Sequence, residues 1–342
     1  MSAERTGLGR TAARRNPVLL ILLFLAAVMV TAGALAPLLW HGGKAVASWV
    51  EYRGLGGVPG LGWLAGKLAD SDFGRYFNRA FLFAALGWLW PFLRWMGVTR
   101  AALGLAPNAR RWRDYAGGFL VAAGLLLAMG GVFLWNGAYQ WRVDPKLAGK
   151  LPRILMAAVV VPLLEEFLFR GVFLGMAMRA VRRVVAIVLV SGLFAVLHLV
   201  KPPDPLPEAL AGGVVGWTSG YEMMGIIFRS YGDPGRFVSE FATLLVVGLI
   251  LAWTRGFTRS LALPMGLHAG WIFGVGMFAL LSRTSKGLRS GQWMVGEGSV
   301  RIPLIGENLK LGLAPLLVLL LTAGVIALLW RKRRADDRGT CC

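Results

Sequence analysis

Cysteine is almost missing from this chain of 342 residues. The two that occur, Cys341 and Cys342, are its last two residues, which excludes a disulfide framework or a cysteine metal cluster inside the fold. They are expected to form a dispensable tail rather than a lipidation signal. Charge is scarce too: 16% of residues are charged and 56% hydrophobic, with a mean hydropathy of +0.62, which excludes an ordinary soluble domain. Acidic residues are outnumbered 17 to 37 by basic ones, for a net charge of +20. The bases sit in short clusters beside apolar runs, a pattern that argues for membrane topology and against a nucleic-acid partner. No internal repeat is strong enough to point to an inverted-repeat transporter.

What the chain does have is a series of apolar runs near the length that crosses a bilayer core. Eight spans are expected, at residues 17–40, 79–98, 117–135, 154–178, 184–200, 237–253, 261–281 and 311–330. The first is read as a retained helix despite the signal-like Ala34-Leu35-Ala36. Residues 41–78, rich in glycine, are expected to be a loop with an interfacial helix. The 208–235 segment reads the same way, and 293–305 has strand-like alternation. With the N-terminus cytoplasmic, eight spans put the basic clusters at 5–15, 100–113, 179–183, 255–259 and 331–334 on the cytoplasmic side. The opposite loops then carry Asp204, Glu208, Glu222 and Asp233, as the positive-inside rule requires. The expectation is an all-α polytopic bundle with both termini cytoplasmic, in a bacterial inner membrane. Three regions are expected: 1–150, a 151–282 core, and 283–342 with the last span and a basic tail.

The fourth span carries Glu165, Glu166 and Arg170. An ionisable group there costs about 2.5–3.5 kcal/mol on insertion scales, so each should have a partner. Glu166 and Arg170 are i,i+4 neighbours with the acid first, the favourable order for a pair. Glu165 points about 100° away and is left unanswered. His198 in the fifth span and His268 in the seventh are the intramembrane imidazoles that could answer it, because bundle sites draw inward-facing side chains from several helices. His41 lies near an interface and is expected to have no role in the site. Gly171 and Gly175, and Gly266, Gly270 and Gly274, are spaced for close helix packing. Pro162 and Pro264 can loosen their helices beside the site.

Two chemistries suit one carboxylate and two imidazoles. Glu165 can act as a general base on water, with His198 orienting the water and His268 stabilising an oxyanion. Alternatively, Glu165, His198 and His268 can hold a zinc-like ion with one position open for water. Both end in amide hydrolysis.

Glu165-Glu166-x-x-x-Arg170, Phe194-x-x-x-His198 and His268, on separate spans and in this order, resemble the three motifs of the CAAX-protease and bacteriocin-processing family of intramembrane proteases. The similarity covers roughly residues 150–282. It implies that Glu165 activates water together with His198, that Glu166 and Arg170 form a supporting pair, and that His268 belongs to the oxyanion-stabilising element. It also implies a membrane-anchored protein or peptide as substrate, and leaves metal-free and zinc-assisted mechanisms both open. One position departs from the pattern: the family's last motif has Asn or Asp four residues after the histidine, and here Ile272 stands there. The expected activity is therefore endopeptidase, against a catalytically impaired membrane scaffold or immunity factor, which Ile272 favours, and a transporter.

Overall fold

The computed structural model describes residues 16–97, 99–203, 206, 210, 215–229, 234–286, 294–295, 302–305, 309 and 312–339. The expected polar leader, Asp204, Glu208, Asp233, Trp293 and the terminal Cys341-Cys342 pair lie outside the described residues. The chain is an all-α polytopic membrane bundle in two compact units, residues 1–97 with 200–233, and residues 98–199 with 234–342.

In the first unit, α1 (Pro17–Tyr52) starts at Asn16, whose side chain accepts from the Val18 amide at 3.0 Å, with Pro17 at the first helical position. It does not stop near Trp40 as expected. Ala47 and Val50 pack against Ala65 of α2 (Leu61–Asp70), so the glycine-rich 41–78 segment is largely helical rather than a loop. Its turn is made where Gly54 and Gly60 adopt positive φ, and the other glycines do not interrupt helix. α3 (Phe73–Met96) begins with Asp72 accepting from the Arg75 amide at 2.8 Å and ends at left-handed Gly97. α8 (Ser219–Arg229) lies against α1, Gly220 meeting the Gly33 backbone and the Tyr221 hydroxyl donating to the Val30 carbonyl at 2.9 Å.

The second unit is built around α10 (Ala262–Leu281). Gly266, Gly270 and Gly274 form the face that packs backbone to backbone on α4 (Arg111–Trp135), where a side chain at Gly270 would meet the Phe119 carbonyl and Ala122. Leu126, Leu263, Leu267, Trp271 and Phe278 complete that core. The other long element is α5 (Leu147–Glu166), which passes through a π-helical segment (Phe167–Phe173) into α6 (Leu174–Ala180). α7 (Arg183–Leu199) packs on α9 (Pro234–Thr258), Ser191 touching Gly248. α11 (Leu313–Gly339) closes the bundle against α4 and α9. At one end β1 (Tyr139–Trp141) pairs antiparallel with β2 (Ser282–Thr284), Gln140 opposite Arg283. β3 (Met294–Val295) and β4 (Ile302–Pro303) form the second pair, in the stretch expected to alternate.

Among the described residues six helices are long and apolar enough to cross a membrane, at Pro17–Tyr52, Arg111–Trp135, Leu147–Ala180, Glu240–Thr258, Ala262–Leu281 and Leu313–Trp330. The other two expected spans are also helices: α7 is apolar but shorter, with 17 residues, and α3 is the tryptophan-rich one. Pro264 falls in the first turn of α10, where a missing donor costs nothing, and does not bend it as expected.

Replacing Gly270 with Val forces the Phe119 backbone and Ala122 apart and should destabilise by about 1–3 kcal/mol, as overpacking does. Gly124 faces open space, so Gly124→Ala should be neutral or stabilising. Thermal unfolding in detergent distinguishes the two; equal midpoints would refute the close α4–α10 contact.

Candidate functional site

All five predicted site residues come together in the second unit, on four helical elements. Glu165 and Glu166 end α5, Arg170 lies in the π segment, His198 closes α7 and His268 stands in α10. Pro162 lies in the turn before the two acids, and removes the amide that would have bonded one turn back. The wider π turn follows directly, a feature common at functional sites. Nothing in the residue pattern announces it.

Glu166 and Arg170 have no accessible surface, and Arg170 Nη1 donates to Glu166 Oε1 at 2.9 Å. Arg170 Nη2 donates to the Gly248 carbonyl of α9 at 3.3 Å. Its guanidinium also lies 4.3 Å from the centroid of Phe194, which is 1% exposed. Phe194 reaches further: its ring is 4.0 Å from His198 and 6.4 Å, edge-on, from His268. The sequence placed Phe194 in a motif without giving it work. Here it is the apolar wall that orients three of the five polar groups.

The two imidazoles are held by their Nδ1 atoms. His198 Nδ1 is 2.9 Å from the Phe194 carbonyl, which can only accept, so Nδ1 carries the proton. His268 Nδ1 is 2.9 Å from Glu166 Oε1 and donates to a carboxylate already bonded to Arg170. In the neutral rings both Nε2 atoms are therefore bases. They face one atom, Glu165 Oε2, at 3.2 Å from His198 and 3.9 Å from His268. That oxygen makes no hydrogen bond within the described protein. Glu165 and His198 side chains are 27% and 22% exposed, while the Glu166–Arg170 pair beneath them is sealed. His268 thus contacts Glu166 more closely than Glu165, and links the buried pair to the accessible one.

His41 stands apart in the first unit, its Nε2 at 2.9 Å from the Val215 carbonyl and its ring 5.0 Å from Trp217. Ile272 is one turn past His268 on α10 and supplies no donor. Gly171 and Gly175 pack against the carbonyls of Leu103 and Ala102, so their spacing serves a loop rather than a second helix.

Residues 147–274 match the family model described as Rce1-like, type II CAAX prenyl endopeptidase. This stretch, which contains all three motifs, is similar to that family. No curated protein and no solved structure matches the chain.

Removing the guanidinium alone should be far worse than removing both partners. Arg170→Met leaves a buried carboxylate and should cost about 3–5 kcal/mol, whereas Glu166→Gln with Arg170→Met should recover much of the loss. The readout is denaturant unfolding in detergent, and wild-type stability of the single variant would show the pair is not buried as described.

Proposed function

We propose that the protein is an intramembrane endopeptidase in which Glu165 activates the water that cleaves a membrane-associated protein or peptide. The observation that carries this reading is the convergence of two imidazole Nε2 atoms on Glu165 Oε2, with both Nδ1 atoms locked as donors. A base needs an accessible proton acceptor whose protonated form is stabilised by neighbours. Glu165 is the partly exposed one of the two carboxylates, its Oε2 buried against the imidazoles, and His198 in contact with that oxygen can share the proton the carboxylate takes.

In this mechanism water adds to the scissile carbonyl carbon as its proton passes to Glu165 and His198. His268, when protonated at Nε2, donates to the developing oxyanion while Glu166 holds its Nδ1–H. The carbon–nitrogen bond then breaks, and the stored proton goes to the leaving amine. Arg170 and Glu166 touch no substrate and act as positioning residues. A zinc-assisted variant would use Glu165, His198 and His268 as ligands, with the Nδ1 contacts as outer-shell support. Among the described residues no group of three or more His, Cys, Asp or Glu side chains is arranged to hold a metal ion, so no step is assigned to one.

The test is cleavage of a membrane-anchored peptide by the protein reconstituted in vesicles. Glu165→Gln should lower kcat by at least about 100-fold, the lower range for a general base, without changing the unfolding midpoint. Chelator should leave the wild-type rate unchanged; a loss restored by zinc would replace this mechanism with the metal-assisted one. Full activity of Glu165→Gln would end the glutamate-base reading.

Ile272 favours a second reading, a chain with impaired catalysis that acts as a membrane scaffold. If the missing donor limits the rate, Ile272→Asn should raise kcat, with roughly 100-fold as the scale set by one oxyanion donor. A wild-type protein and an Ile272→Asn variant that both cleave nothing, while Glu165→Gln complements a deletion strain, would establish the scaffold reading instead.

A further inference from the structure

Away from the catalytic groups, the second unit contains a cavity of about 500 Å³ between the start of α4, the exit of α9 and α11. Its wall includes Asn108, Arg110, Asp114, Thr258, Arg259 and Trp330. The volume lies within the roughly 300–1,000 Å³ of small-molecule sites. Two arginines and one aspartate contribute to this lining, and the aspartate is engaged by the protein: Asp114 is 6% exposed and accepts from Asn108 Nδ2 at 3.5 Å.

Arg259 is the less expected of the two cations. It follows the last residue of α9 with φ at +53°, where glycine is the usual choice because a Cβ is strained there. Its position is fixed by its amide donating to the Arg255 carbonyl at 3.0 Å and by Thr258 Oγ1 donating to the Ser260 carbonyl at 3.0 Å. A left-handed arginine projecting from a braced turn exchanges backbone ease for a guanidinium at the cavity wall. On the facing wall Arg110 precedes α4, whose first-turn amides are the positive end of a helix of 25 residues. More positive charge stands nearby, with Arg183 against Gly256 and Arg255 donating to the Ala102 carbonyl.

We propose that this cavity binds a phosphate-type anion between Arg110 and Arg259, either the headgroup of an anionic phospholipid or dissolved phosphate. Arginine forks suit phosphate oxygens, and basic pockets between membrane helices bind acidic headgroups. Phe257 and Trp330, whose rings meet at 5.9 Å, give the same cavity an apolar wall for the glycerol and first acyl carbons.

The experiment uses the full chain in uncharged detergent, titrated separately with inorganic phosphate, phosphatidylglycerol and phosphatidylcholine while the unfolding midpoint is followed. A saturable rise with phosphatidylglycerol and not with phosphate assigns the site to the membrane lipid; a rise with phosphate alone assigns it to the dissolved ion; both support the proposal. Arg259→Gly relieves the positive φ, so it should fold at least as well as wild type. Like Arg110→Gln, it should raise the half-saturating concentration at least about tenfold. Arg111→Gln, an exposed neighbour outside the cavity wall, should leave it unchanged. The proposal is overturned if no probe shifts the midpoint, if phosphatidylcholine matches phosphatidylglycerol, or if all three variants behave alike.

Discussion

The ion pair between Glu166 and Arg170 is the constraint on which the second unit depends. Both side chains are wholly buried, and the desolvation of two such ions is offset only when geometry and additional hydrogen bonds are good. The bundle supplies those from three other helices: the Gly248 carbonyl from α9, the Phe194 face from α7 and the His268 Nδ1–H from α10. Each of these contacts fixes one helix relative to α5. The charged pair therefore works as the registry point of α5, α7, α9 and α10. It does so with neither charged group exposed, while Glu165 beside it is partly accessible.

The π turn connects this pair to the accessible carboxylate. In an uninterrupted α-helix Glu165 and Glu166 would be separated by the ordinary 100°, with the same backbone ladder continuing past both. Here the ladder loosens just after them, downstream of Pro162, and Phe167–Phe173 take the wider winding. Arg170 and Phe169 are carried by that segment, so the winding also sets where the guanidinium meets Phe194 and where Phe169 lies edge-on to it, at 5.1 Å. Adjacent acids can then serve different ends, one sealed under Arg170 and one 27% exposed beside His198.

Much of this was legible from residue chemistry. A bilayer penalises buried charge so heavily that Glu165, Glu166, Arg170, His198 and His268 had to be mutually explained, and the i,i+4 spacing named one pair outright. What stayed hidden depended on tertiary contacts that have no local pattern. The helix over residues 41–52 exists because Ala47 and Val50 find Ala65, and glycine content alone could not reveal that partner. Gly171 and Gly175 were spaced as for a helix pair, yet a carbonyl edge at Ala102 and Leu103 uses the same small surface. The division of His268 between the two acids was likewise out of reach, since it depends on which ring nitrogen meets which oxygen.

The depth of the site follows from the same contacts. His268 lies about 9 Å along α10 from Ala262 at the helical rise of 1.5 Å per residue. The start of α10 is tied to the 99–105 segment, since the Leu261 amide donates to the Gly104 carbonyl at 3.2 Å and Arg255 holds the Ala102 carbonyl. Gly171 meets Leu103 at that same level, one residue beyond Arg170. Along α10 His268 stands about two turns from the end at which Arg255 and Arg259 gather, whereas along α7 His198 stands about four turns from Arg183, so the five polar groups meet within the thickness of the bundle rather than at that end.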